Sequence, residues 1–168
     1  LGFTVEKRTP VPEELTILDG PSLVRSNLLK QGCFIIQDTA SMLPPHLLQP
    51  EKGQRILDLC AAPGGKTTHI AQLTKDRAQI LAMDVSSRRL RLLHDNAVRL
   101  SIKNIQTVCA DGAAPPVPDG WADCVLVDAP CSGLGTLRRH PEIKWRLAPD
   151  DLARLASLQS SLLRSAVR

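Results

Sequence analysis

The sequence predicts an α/β fold: a mostly parallel sheet with helices on its faces, preceded by a short arm. Three observations predict it. Compact apolar runs recur at residues 55–60, 79–84, 105–110 and 124–129, the pattern of strands covered on both faces. Segments of helical period follow the first, second and fourth runs, as expected for parallel strands joined by crossover helices. Each run ends in a polar residue or a glycine turn, and ligands on such sheets bind beyond the carboxyl ends of the strands.

Taken in order, residues 1–50 form the arm, punctuated by Pro10, Pro12, Pro21, Pro44, Pro45 and Pro50. Short helical pieces are expected at 22–29 and 37–43, with Phe34-Ile35-Ile36 as a possible strand. Residues 51–168 form the main domain. Its first strand, 55–60, runs into a Pro-Gly-Gly turn, and a helix follows over 66–73. After the second strand, Ser86 and Ser87 are candidate N-caps for a helix to about residue 100. Its apolar side Leu90, Leu93, Ala97 and Leu100 recurs every three or four residues. The third strand ends before Asp111 and a proline loop. The fourth ends at Asp128-Ala129-Pro130-Cys131. Pro149, suited to a first helical turn, opens a last helix carrying Leu152, Leu155, Leu158, Leu162 and Leu163.

Composition narrows the class. A chain of 168 residues with 43% hydrophobic and 23% charged residues is neither disordered nor fibrous. No apolar run approaches the ~18 residues of a membrane span, so no membrane partner is expected. Five cysteines without a CxxC pair indicate neither a disulfide framework nor a zinc knuckle, so no metal is expected. Cys60, Cys109 and Cys124 sit in strand-like runs, where cysteine is usually a small buried hydrophobe. A reducing, cytoplasmic setting fits. The opening residues lack both an initiator Met and signal-peptide order, as expected of a piece of something longer. Net charge is a mild +4, but Arg138, Arg139, Lys144 and Arg146 set four basic groups against Glu142 within nine residues. That stretch is either a phosphate-facing patch or a solvated basic loop.

The strand ends carry the chemistry. The segment LDLCAAPGGKTT, residues 57–68, differs from a phosphate-binding loop because Cys60 stands where that motif needs glycine. A GxGxxG dinucleotide turn is also missing. The small-residue turn Cys60, Ala61, Ala62, Pro63, Gly64, Gly65 and Lys66 still lets backbone approach a cofactor and aims helix N–H groups at a carboxylate. Asp84 follows about 20 residues later, where an acidic group can hold ribose hydroxyls; Asp111 could accept from an adenine amino group. S-adenosylmethionine, an adenosine ligand without a pyrophosphate, fits these positions. Turn or cap duty is the alternative for each aspartate taken singly. In DAPCSG, Asp128 precedes a thiol, Cys131, placed after a proline. A thiolate suits covalent addition to carbon 6 of a pyrimidine, which activates carbon 5; the alternative is an inert buried thiol.

Three segments carry a family resemblance: LDLCAAPGGKTT at 57–68, DAPCSGLG at 128–135 and RRHPEIKW at 138–145, with Gln37, Asp38 and Ser41 upstream. The chain resembles the Sun (RsmB-like) family of S-adenosylmethionine-dependent RNA cytosine-C5 methyltransferases, closest to the bacterial branch acting on 16S ribosomal RNA. The resemblance implies a Rossmann-like methyltransferase fold, ribosomal RNA as partner and S-adenosylmethionine as cofactor. It places residues 60–66 around the methionine part, Asp84 at the ribose, Asp111 at the adenine and Asp128 near the methyl group. It associates Cys131 with product release. The attacking thiol of that family belongs to a Thr-Cys motif on a later strand, and the 168 residues stop before it. The segment is therefore expected to be truncated at its C-terminus, holding the cofactor half without the nucleophile. A non-catalytic RNA-binding or assembly module retaining the fold is the alternative.

Overall fold

The computed structural model describes residues 2–7 and 11–168; Pro10, counted among the arm's prolines, lies outside the described residues. Two short strands, β1 (Thr4–Glu6) and β2 (Thr16–Asp19), pair antiparallel. This hairpin was not foreseen: its strands are three and four residues long and mostly exposed, so no apolar alternation marks them. The helical piece expected at 22–29 splits into a 3₁₀ turn at Leu23–Arg25 and α1 (Asn27–Lys30). Ser26 sits between them, and its hydroxyl accepts from the Leu29 N–H at 3.2 Å. Residues 34–36 form no strand. The Phe34 carbonyl accepts instead from the Arg99 guanidinium at 3.0 Å.

The second expected helix is longer than its prolines suggested: α2 spans Thr39–Leu48 and runs through Pro44 and Pro45. A proline removes the N–H that would reach back four residues; for Pro45 the abandoned acceptor is the Ser41 carbonyl. The Gln37 side-chain amide fills that vacancy, donating to the Ser41 carbonyl at 2.9 Å.

From residue 55 the expected order holds, with one unexpected short helix, α5 (Ile143–Arg146), and a fourth strand shorter than expected: β3 (Arg55–Asp58), α3 (Gly65–Leu73), β4 (Gln79–Asp84), α4 (Ser87–Arg99), β5 (Ile105–Cys109), β6 (Cys124–Leu126), α5 and α6 (Pro149–Ala166). Ser86 caps α4, its hydroxyl accepting from the Arg89 N–H at 3.3 Å. The four longer-range strands pair in the order β5-β4-β3-β6, all parallel. Alternate residues of β3 face opposite cores. Ile56 packs with Ile70, Ala71, Ile80 and Leu126 on one face. Leu57 packs with Leu81 and Met83 on the other, where Val125 and Ala166 join them. Burial on both sides explains why β3 and β4 read as unbroken apolar runs.

One expectation fails here. Cys109 is exposed, whereas Cys60 and Cys124 are partly buried. β5 is an edge strand, so the side chain at its end has no neighbouring strand to cover it, and its sulfur lies 3.6 Å from the Val85 carbonyl.

Candidate functional site

Successive strands step outward from β3 to β4 to β5, and then the chain returns to place β6 on the other side of β3. The strand order therefore reverses between β3 and β6, and the crevice beyond their carboxyl ends is where such sheets bind ligands. A cavity of about 320 Å³ occupies that position, within the ordinary size of a small-molecule site. Its floor is Asp58 with Cys60, Ala61, Ala62 and Pro63; Gly65 and Lys66 open α3 at one side, and Asp128 faces them. The opposite wall comes from the arm, through Ile36, Gln37, Asp38 and Ser41, together with Arg139.

The turn that makes the floor is tight for a stated reason. The Gly64 N–H donates to the Ala61 carbonyl at 2.8 Å, and Gly64 adopts φ +102° as α3 begins. A Cβ at that position would lie 2.6 Å from Leu93 Cγ, so Gly64 serves by close packing on α4 and does not itself line the cavity. The first turn of α3, through Gly65 and Lys66, borders the crevice, and a helix start favours negative charge.

Charges alternate around the cavity. Lys66 Nζ donates to Asp128 Oδ2 at 2.5 Å, joining the β3 turn to the end of β6. Arg139 pairs with Asp38 at 2.6 Å, joining the late loop to the arm. Beneath them Asp58 is 1% exposed and accepts from the Thr67 hydroxyl at 2.7 Å, while its other oxygen, Oδ1, has no partner among the described residues. Burial pushes the Asp58 carboxyl from its usual 3.8 up to about 7; the Asp128 charge adds to the rise, and the Thr67 and Cys60 hydrogen bonds and Lys66 oppose it. Cys60 is held as a thiol: burial, then the carboxylates of Asp58, Asp84 and Asp128, push it up to about 11. A sulfur kept protonated at neutral pH is a poor nucleophile.

The structure brings residues 60–63, 65, 66 and 128 together and leaves other candidates outside this cavity. Asp84 is buried at the end of β4, where Oδ1 accepts from the Ser86 N–H at 2.9 Å and Oδ2 lies 3.4 Å from Arg89. Arg89 also donates to the Ala62 carbonyl, so this one guanidinium links the Asp84 tip to the β3 turn. Asp111 is exposed and accepts from the Ala113 N–H at 2.9 Å, a local turn bond. Cys131 is exposed as well, which sets aside the inert buried thiol. Its loop is fixed at the preceding residue, where Gln159 of α6 donates to the Pro130 carbonyl at 2.9 Å.

A family model described as 16S rRNA methyltransferase RsmB/F matches residues 45–168. The chain belongs to this family. It is 38% identical over 165 residues to the probable ribosomal RNA small subunit methyltransferase B of Bacillus subtilis (strain 168), covering 97% of this chain and 37% of that protein. Among solved structures, PH0851 superposes with a TM-score of 0.92 at 38% identity, over 99% of this chain and 38% of that one. NSun6 from Pyrococcus horikoshii with SFG superposes at 0.79 and 34% identity, over 90% of this chain and 40% of that one. The chain thus spans under two fifths of the Bacillus relative, and its fold is the Rossmann-like methyltransferase fold.

Within this RsmB/F chain, sequence reasoning missed two features of the site. Asp58 was passed over as strand interior, although a carboxylate inside an apolar run is itself a signal. Arg139 was grouped with Arg138, Lys144 and Arg146 as phosphate-facing, yet its carboxylate partner and its place in the cavity wall set it apart. All four side chains are exposed, and Lys144 lies 4.8 Å over the ring of Trp145, which is 81% exposed.

Proposed function

We propose that this chain is the cofactor-binding half of an S-adenosylmethionine-dependent enzyme that methylates cytosine C5 in small-subunit ribosomal RNA, working in the cytoplasm. The observation that carries the proposal is the cavity at the strand-order reversal, built by the 60–66 turn on one side and Asp128 on the other. The residues present suit the cofactor. A turn of small residues lets backbone come close, the start of α3 offers N–H groups to a carboxylate, and Lys66, Asp58 and Asp128 supply polar contacts for an amino acid moiety. Asp84, buried at the next strand tip, is placed for ribose hydroxyls, and Asp111 for the adenine side. SFG in the Pyrococcus NSun6 structure, an analogue of S-adenosylmethionine, supports the same ligand here.

When bound, S-adenosylmethionine supplies an electrophilic methyl group. This chain's own residues orient it and exclude competitors. Cys60, held as a thiol, does not compete for that methyl, and the Asp58 carboxyl beneath the turn, raised to about 7, is about half protonated at pH 7. Asp128 stands at the edge of the site, where a target base would enter. Cys131, three residues further along, is exposed on the same loop and suits the auxiliary thiol that releases methylated product. Arg138, Lys144 and Arg146 meet RNA phosphates, with recognition resting on charge and shape.

The test is calorimetric titration of S-adenosylmethionine into the chain. Saturable binding is expected, weakened far more by Asp84→Ala than by Asp95→Ala on the exposed side of α4. Equal losses, or no binding at all, would sink this assignment.

A further inference from the structure

Away from the cavity, three side chains from three separate elements converge on one point. Glu13 lies in the segment between β1 and β2, His46 in the last turn of α2, and His69 in the middle of α3. His46 Nε2 lies 2.7 Å from Glu13 Oε1, and His69 Nε2 touches the same oxygen. One ligand atom from each residue falls within 4.8 Å of the other two. The two rings meet edge to face, with centroids 5.2 Å apart.

We propose that Glu13, His46 and His69 form a divalent transition-metal site, of the kind zinc occupies, that staples the arm to α2 and α3. The donor set argues for it: two imidazole nitrogens and one carboxylate oxygen suit zinc, whereas calcium and magnesium want oxygen alone. A tetrahedral ion with bonds of about 2.1 Å spaces its ligand atoms about 3.4 Å apart, so His46 and Glu13 need to separate by less than about 1 Å to admit it. His69 is 2% exposed, with Nε2 turned into the cluster and Nδ1 without a hydrogen-bond partner among the described residues. The side chains of Glu13 and His46 are about one third exposed, which leaves an entry path and room for water as a fourth ligand.

No sequence motif announces this site, because its members stand 33 and 56 residues from Glu13; the absence of a cysteine pair had pointed to no metal. The site also does not depend on the methyltransferase assignment. Its consequence is mechanical. α3 carries Gly65 and Lys66 in its first turn, and a metal one turn further along would fix that helix against the arm.

The decisive experiment titrates zinc chloride alone into chelator-stripped chain by calorimetry, beside His46→Gln and Glu13→Gln, whose partly exposed positions tolerate substitution. One ion per chain is expected, with affinity reduced at least about tenfold in each variant and a rise in Tm on zinc addition for the unsubstituted chain. Cobalt in place of zinc should give a spectrum without a thiolate charge-transfer band, which separates this site from the five cysteines. No uptake, affinity unchanged in either variant, or a thiolate band would each overturn the proposal, leaving a carboxylate hydrogen-bonded between two histidines.

Discussion

Two halves of the same crevice are built differently. The β3–α3–β4 side is buried and cross-braced: Asp58 to Thr67, Asp84 to the Ser86 amide, and Arg89 to both Asp84 and Ala62. The side running from Asp128 to Arg146 is a largely exposed loop with two short helical turns. Its long-range ties include Lys66 to Asp128, Gln159 to Pro130 and Asp38 to Arg139. Under the proposed function the difference divides the tasks: a cofactor that stays the same would be met by the rigid wall, and a large nucleic-acid substrate by the face that is open and adjustable.

The largest expected effect lies on the rigid side. Because the Asp58 carboxyl titrates near 7 when folded and near 3.8 when unfolded, the folded chain binds more protons across that interval. Its contribution to stability is fully present below about pH 4 and is lost as pH rises toward 7. The loss amounts to at most about 4 kcal/mol. Asp58→Asn should flatten that part of the stability profile in urea unfolding; an unchanged slope would break the assignment of the buried proton.

Next comes backbone packing. Gly64→Ala puts a Cβ against Leu93 at a positive φ and should cost about 2–3 kcal/mol. Gly135→Ala, on the open side with nothing within 4 Å of its Cβ and no positive φ, should stay within about 0.5 kcal/mol. Equal costs by chemical denaturation would mean that the two halves are equally rigid.

Thiol reactivity sharpens the contrast. At pH 8, iodoacetamide should alkylate Cys60 at least about tenfold more slowly than Cys131, which is exposed. Peptide mass spectrometry over a time course reads the order directly. The smallest effect is electrostatic. Arg138→Ala should weaken RNA binding evenly across sequences and lower the salt slope by about one, while Arg139→Ala should change that slope less, because Asp38 already neutralises it.

How legible all this was in sequence follows the same division. β3, α3, β4 and α4 were readable because their side chains are sorted by burial, and burial is what periodicity records. The residues of the 60–66 turn were readable because small residues at a strand end have few other uses. Features that depend on distant side chains were not. Pro44 and Pro45 argued for an early end to α2, and only the Gln37 amide makes its continuation affordable. The wall joining Asp38 to Arg139 spans 101 residues, a distance over which spacing carries no signal. Cys109 was misjudged because a strand's place at the sheet edge is a property of topology.

That wall also sets a schedule for the nascent chain. Asp38 emerges from the ribosome first, and its partner follows 101 residues later, an interval of about 5–20 s at ordinary rates of synthesis. Until then the newborn pocket has the arm's share of its far wall but not Arg139, and Asp38 waits without the guanidinium that will brace it.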